Sequence, residues 1–299
     1  QFVIDVSHRA RDVIRDYIRE KSKSTFEQLE QFSQDNKQGF KIINQYYNCM
    51  KYAAKYELDS FCLYVERYRP RSERFYEPRR FRLKEFVDDI QDLEDNKLDE
   101  LYLHCPPRIG KSQLVTMACA WHCARNDEPS NLYVTYSNTL GGAFLDGVME
   151  IIKDPTYAFS EVFPYEEIVH TDSEAHRMNM GRRKKYATLS GRGMEAGLNG
   201  QFDAKGWLVL DDLHEGINEV LNPSLMQKKQ QFFDNNVLTR KLEGCKILGI
   251  GTIWSLHDIF MNQHAFLESG QAKKGVRFKI HKIRSEERIS RNAETDIVC

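Results

Sequence analysis

The chain has no apolar run approaching the roughly 20 residues that a membrane-spanning helix needs, and no signal peptide is visible. It also lacks a dominant sign of charge, since 43 Lys and Arg stand against 44 Asp and Glu for a formal net charge of −1. Any contact with nucleic acid must therefore come from local patches rather than from a globally basic surface. Its seven cysteines are odd in number and irregularly spaced, which fits reduced thiols in a cytosolic compartment rather than a disulfide framework. With 41% hydrophobic and 29% charged residues the balance is that of an ordinary soluble globular protein. A length of 299 residues allows one large domain or two modest ones. The chain begins with Gln1 rather than Met, as expected of a fragment, a processed form or the ordered part of something longer.

Against this even background one stretch stands out, Leu101 to Leu114, LYLHCPPRIGKSQL. A short apolar strand breaks at Pro106-Pro107, and Gly110-Lys111-Ser112 then opens a helical run. Strand, tight loop and Gly-Lys-Ser/Thr at a helix N-terminus is the form of a phosphate-binding loop. Backbone N–H groups cradle phosphate oxygens there, and the helix dipole adds positive potential. The expected contacts with ATP run from Pro107 through Arg108, Ile109 and Gly110 to Gln113. Lys111 is expected on the β and γ phosphates and Ser112 Oγ on Mg²⁺. Cys105 stands where the usual pattern has its first glycine.

A second signal is Trp207-Leu208-Val209-Leu210-Asp211-Asp212. A buried apolar strand ending in two carboxylates places acid at the carboxyl edge of a sheet, where open α/β folds bind ligands. One carboxylate can order Mg²⁺ through its water shell and the next can polarise an attacking water. Asp211 lies 99 residues after Ser112, with a strand (132–136) and a helix (139–153) between them. That alternation predicts a mainly parallel sheet with crossover helices.

The remaining segments admit more than one reading. Residues 1–66 read as helices, with Ser24 and Glu27 forming a capping box. Residues 67–82 hold seven arginines among Tyr68, Phe75, Tyr76 and Phe81. They suit either a nucleic-acid contact or an extended connector in which Pro70 and Pro78 prevent a helix. An acidic helix is expected over 83–95. Cys119, His122 and Cys123 share one helical turn and form either an incomplete metal set or ordinary buried side chains. A strand is expected over 186–189, then a glycine-rich loop with Gly191, Gly193, Gly197 and Gly200. Arg182, Arg183 and Arg192 could stabilise phosphate charge from a neighbouring subunit or simply be solvated. A helix should start at Asn222-Pro223 and run through Val237, followed by a strand over 246–251. Thr252 at that strand's tip could sense the γ-phosphate or cap a helix over 256–267. A last strand is expected around Val276 to Ile283, and 285–299 reads as a linker.

Taken together, HCPPRIGKSQLV, YVTYS, WLVLDD and NPSLMQKKQQFFDNNVLTRKLEGCKILGIGTIW resemble, in this order, the motor domain of tailed-phage large terminases, over roughly residues 75–260. The resemblance implies an α/β phosphate-loop NTPase of the additional-strand catalytic class with a helical N-terminal subdomain. It implies an ATP- and Mg²⁺-dependent motor that drives double-stranded DNA into procapsids. Such a motor works as a homo-oligomeric ring in the host cytoplasm, docked on the portal protein and served by a small terminase subunit. Lys111 and Ser112 would bind phosphate and metal, and Asp211 would order the metal. Arg108 would contact the γ-phosphate from the same subunit, a role that suits a guanidinium fork. Asp212 occupies the catalytic-carboxylate position, often Glu in related motors, with Glu215 as the substitute. Thr252 belongs to the motif that couples hydrolysis to movement, and Arg192 is the candidate arginine acting in trans.

The expected domains are a helical subdomain over 1–66, the ATPase core over 67–284 and a linker over 285–299. Family members carry a C-terminal nuclease domain for which nothing after Val276 leaves room, so no nuclease activity is expected of this chain. The rival readings are a helicase-like translocase and a nucleotide-gated assembly module without significant hydrolysis.

Overall fold

The computed structural model describes residues 37–194, 196, 202–271 and 275–282. The Ser24–Glu27 capping box, Gly197, Gly200 and the 285–299 linker lie outside the described residues. Two compact units emerge, Gln1–Pro78 with Asp154–Tyr165, and Arg79–Lys153 with Glu166–Cys299. The first unit takes in a segment from the middle of the chain, Asp154–Tyr165.

In the helical unit, α1 (Lys37–Ala54) and α2 (Leu58–Val65) pack together. Phe61 is fully buried, its ring centroid 6.4 Å from that of Phe159 and 6.1 Å from that of Phe163. These ring contacts are what recruit Asp154–Tyr165. The arginine-rich stretch turns inward. Arg67 lies 4.4 Å over the Tyr47 ring and 4.7 Å over that of Tyr68, and donates to Tyr64 Oη at 2.7 Å. Arg74 donates to the carbonyls of Arg67 and Arg69 and pairs with Glu77 at 2.9 Å. Glu66 accepts the backbone N–H groups of Phe75 and Tyr76. These cation–π and ionic contacts consume Arg67 and Arg74 within the fold, against their use on nucleic acid. Single 3₁₀ turns at Arg71–Glu73 and Glu77–Arg79 follow Pro70 and include Pro78.

The second unit is α/β, an eight-stranded mixed sheet flanked by helices. In chain order it contains α3 (Arg80–Glu94), β1 (Glu100–His104), α4 (Lys111–Arg125), β2 (Asn131–Thr135), α5 (Asn138–Lys153), β3 (Ile168–Asp172), β4 (Arg177–Met180), β5 (Leu189–Gly193), β6 (Trp207–Asp211), α6 (Pro223–Phe232), β7 (Lys246–Gly251), α7 (Ile259–Glu268) and β8 (Phe278–Lys282). The strand order is β3-β4-β5-β2-β6-β7-β1-β8. From β5 to β8 all pairings are parallel, and β3 and β4 add an antiparallel hairpin at one edge. Every residue of β1, β2 and β6 is buried, as expected of parallel strands covered on both faces. Helix α4 is buried from Leu114 through Ala124 rather than on one stripe, so it is a central helix. Among the described residues no helix is long and apolar enough to cross a membrane.

Three expectations need correction. The strand expected over 186–189 begins at Leu189 and runs through Gly193, so Gly191 and Gly193, two of the four glycines assigned to a loop, lie in the sheet. Its glycines serve close packing. A Cβ on Gly191 would stand 2.1 Å from the Gly141 carbonyl oxygen, and one on Gly193 would stand 2.4 Å from the Asn138 nitrogen. Helix α6 ends at Phe232 and passes into a π-helical turn over Phe233–Val237. Helix α7 starts at Ile259, where Asp258, not Thr252, caps it by accepting the Phe260 N–H at 2.9 Å.

Candidate active site

The site is assembled by strand order. β7 lies between β1 and β6, so the loop after β1, the end of β6 and the end of β7 meet at one edge of the parallel sheet. In register, His104 faces Gly251 and Asp211 faces Ile250. The loop after β1 turns sharply, with Arg108 at φ 68° and Gly110 at φ 101°, both in the left-handed region. Gly110 is the N-cap of α4, which Lys111 opens. Glycine adopts this conformation without strain, whereas Arg108 must be held in it.

Lys111 is almost fully buried and its Nζ donates to Thr252 Oγ1 at 2.7 Å, with Asp212 Oδ1 3.3 Å away. Thr252 in turn donates through its N–H to Asp212 Oδ1 (3.3 Å) and through its hydroxyl to the Cys105 carbonyl (3.4 Å). Thus the loop lysine, the second carboxylate and the tip of β7 form one hydrogen-bonded cluster. Asp212 has φ 38°, and its backbone is tied on both sides. Its N–H donates to the Ile250 carbonyl, and its carbonyl accepts from Tyr136 N–H and the Thr135 hydroxyl. A non-glycine residue held in this region costs on the order of 1–2 kcal/mol, and such outliers cluster where side chains are aimed for function.

Asp211 is 2% exposed and accepts from Tyr133 Oη at 2.9 Å through Oδ2. Its Oδ1 is buried without a hydrogen-bond partner among the described residues. Burial, aided by the neighbouring Asp212 charge, raises its pKa to about 6, against the pull of the Tyr133 and Ser112 hydroxyls and of Lys111. An orphaned buried carboxylate oxygen beside a serine hydroxyl suits a hard divalent cation. Mg²⁺ takes one or two protein oxygens and completes its octahedron with water and phosphate. The donor set of Asp211 and Ser112 fits it.

The other expected residues separate. Pro107 and Arg108 are exposed, Ile109 is buried and Gln113 is half-buried beside Ser112 on the first turn of α4. Glu215 is exposed, and its backbone N–H bonds to Glu219. Among the described contacts its carboxylate joins neither Lys111 nor Asp211. Arg192 lies on β5, which β2 separates from β6, a distance of about 10 Å from two interstrand spacings. There it stacks over Phe202 at 4.6 Å and donates to Asn138 at 3.4 Å.

Among the described residues no group of three or more His, Cys, Asp or Glu side chains is placed to hold a metal ion. In particular, His122 is 2.8 Å from Glu94 and 3.0 Å from Asn131 Oδ1, and stacks on Trp207 at 4.1 Å. It is a core histidine rather than a partner of Cys119 and Cys123. Sequence reasoning misses Tyr133, which looks like any strand aromatic until β2 is set beside β6. It also misses His104, whose Nδ1 is 3.1 Å from the Gly251 carbonyl and whose Nε2 is 3.0 Å from His264 Nε2. No local signal marks either one.

No protein-family model and no curated protein matches the chain.

Proposed function

We propose that this chain is the ATP-hydrolysing motor domain of a DNA-packaging terminase, built as a phosphate-loop NTPase of the additional-strand class. The observation that carries the ATPase reading is the cluster of Lys111, Asp212 and Thr252, formed because β7 is inserted between β1 and β6. The packaging role rests on the resemblance of the four ordered segments.

Incoming phosphates would meet the α4 N-terminus and draw Lys111 away from Asp212 and Thr252. This exchange frees the Asp212 carboxylate to accept a proton from water as the water oxygen bonds to the γ-phosphorus and the bond to ADP breaks. Most of the protein's work in such a transfer is positioning and charge neutralisation. Bound Mg²⁺, held by Ser112 and Asp211, would supply further neutralisation of phosphate charge. Arg108, exposed on its left-handed turn and without an ion-pair partner among the described residues, is available to the γ-phosphate. Thr252 reports on the same event, since its hydroxyl and N–H lose or keep their partners according to the position of Lys111. In a ring on the portal, with the small subunit feeding double-stranded DNA, this change would bias movement. An arginine from the neighbouring protomer, with Arg192 the candidate, would complete the site.

Phosphate release tests the reading. Lys111→Ala should lower hydrolysis to background while circular dichroism stays unchanged, and normal turnover would sink the assignment. Asp212→Asn should bind ATP and fail to cleave it, whereas retained cleavage would move the role to Glu215. Tight ATP binding with no turnover in the assembled wild-type ring would instead favour a nucleotide-gated assembly module.

A further inference from the structure

The β3–β4 hairpin carries a cavity of about 340 Å³ at the edge of the sheet away from β8. Its floor is the face shared by His170, Asp172, Arg177 and Asn179, and its rim is the turn holding Arg183, Lys184 and Lys185. The turn is a built structure. Gly181 at φ 64° starts it, where a Cβ would stand 2.3 Å from Asp127 Oδ2. Asn179 Oδ1 accepts the Lys184 N–H at 3.3 Å, and Lys184 Nζ donates to the Asp127 carbonyl. Pinned in this way, the turn presents Arg183 and Lys185 outward, and neither has an ion-pair partner among the described residues.

The charges within the cavity do not balance. Asp172 pairs with Arg177 at 3.1 Å and is, among the described residues, the only carboxylate lining it. Arg177 also shares the Phe202 ring with Arg192, at 5.5 and 4.6 Å from its centroid. His170 Nδ1 in the lining and Arg192 Nε outside it are buried with no hydrogen-bond partner among the described residues. The lining carries Arg177, Arg183, Lys184 and Lys185 against the one carboxylate of Asp172, a local excess of positive charge that suits an anion. Two strand residues of rise place Arg177 about 7 Å from Asn179, and the rim cations lie beyond Asn179. That spread exceeds a single phosphate and suits a succession of them.

We propose that this hairpin cavity grips the phosphodiester backbone of nucleic acid. Arg183 and Lys185 hold successive phosphates at the rim, over a floor where Arg177 is held by Asp172 and Phe202. The choice of nucleic acid over other polyanions rests on the DNA-handling function proposed above, whereas the cavity and its charges do not. Backbone contacts of this kind read no sequence and release counterions, so binding should be sequence-tolerant and salt-sensitive.

The test is fluorescence anisotropy of the full chain with short labelled duplexes of unrelated sequence, across a salt series. The double variant Arg183→Gln/Lys185→Gln changes exposed side chains and leaves the fold intact. It should weaken binding roughly tenfold or more and reduce the salt slope by about 2, near 0.9 for each phosphate no longer neutralised. Arg182→Gln, whose guanidinium pairs with Glu128 at 2.8 Å, is the matched control and should change little. Lys111→Ala should retain duplex binding, so failure of the ATP site and failure of this grip are distinguishable. Unchanged affinity and slope in the double variant would overturn the proposal. It would also fall if inorganic triphosphate competed as well as duplex, which marks a small-anion site, or if polyglutamate bound with the same loss in the double variant.

Discussion

Asp211 has its carboxyl raised from 3.8 to about 6, chiefly by burial. The folded pKa lies above the unfolded one, so the folded chain holds the extra proton between those values. Stability from this group is greatest below about pH 4 and falls as pH rises to about 6. The shift corresponds to roughly 3 kcal/mol. Asp211→Asn should therefore melt at a higher temperature than the parent near neutral pH while losing ATP hydrolysis. Thermal unfolding of both proteins from pH 4 to 7 checks this, and an equal melting temperature throughout would contradict it. If Asp211 holds Mg²⁺ as proposed, a proton competes with the cation for its carboxylate, and Mg²⁺-dependent ATP binding should weaken as pH drops below about 6, as calorimetry would show. Stability and function oppose one another at this residue. The charge that destabilises the empty fold is the one that would hold the proposed cation.

Among the elements, the contact of α5 with β5 depends on bare backbone. Gly191→Ala would force its Cβ onto the Gly141 carbonyl oxygen and, as an overpacked core substitution, should cost about 1–3 kcal/mol in a denaturant titration. Gly216→Ala, where nothing lies within 4 Å, should stay near parental and serves as its control. The link from β1 to α7 runs through two buried imidazoles. His104 and His264 are pushed down to about 4 and about 3, mainly by burial. Their folded pKa values lie below the unfolded value of 6.5, so the unfolded chain gains protons first as pH falls. Their contribution is fully present above about pH 6.5 and is lost toward pH 4, opposite in sign to that of Asp211. His264→Leu should flatten this acid limb. An unaltered limb in that variant would remove the pair as its source.

At the scale of the whole molecule, the chain forms two compact units, each with its own buried aromatic or aliphatic core. If nucleotide binds at Lys111, its stabilisation belongs to the α/β unit. Mg²⁺ and ATP at a hundredfold excess over Kd should stabilise that unit by about 2.7 kcal/mol. Hydrogen exchange should slow in β1, α4, β6 and β7 and stay unchanged in α1 and α2. Equal slowing in α1 and α2 would place the ligand elsewhere or make the units one cooperative block. The arginine-rich stretch belongs to this scale too. Seven arginines in sequence suggest a polyanion surface, but Arg67 and Arg74 are spent on tyrosines, carbonyls and Glu77. The unbalanced cations lie on the hairpin of the other unit, among residues that look ordinary one at a time.

Short-range physics was legible along the chain. Apolar strands ending at His104 and Asp211, a helix opened by Gly110-Lys111, and the Asn222-Pro223 helix start are each set by a few neighbouring residues and their backbone preferences. The alternation of strands and helices likewise implied a mainly parallel sheet. The order of the strands was not legible in the residue pattern, because pairing partners are chosen by side-chain packing across distances that no local pattern records; only the resemblance implied a strand inserted between two others. That order alone puts Thr252 between Lys111 and Asp212, sets Tyr133 against Asp211 and turns a glycine-rich loop into a strand pressed against α5. Residue chemistry was therefore a property of the sequence, while its convergence on one sheet edge was decided by the insertion of β7 between β1 and β6.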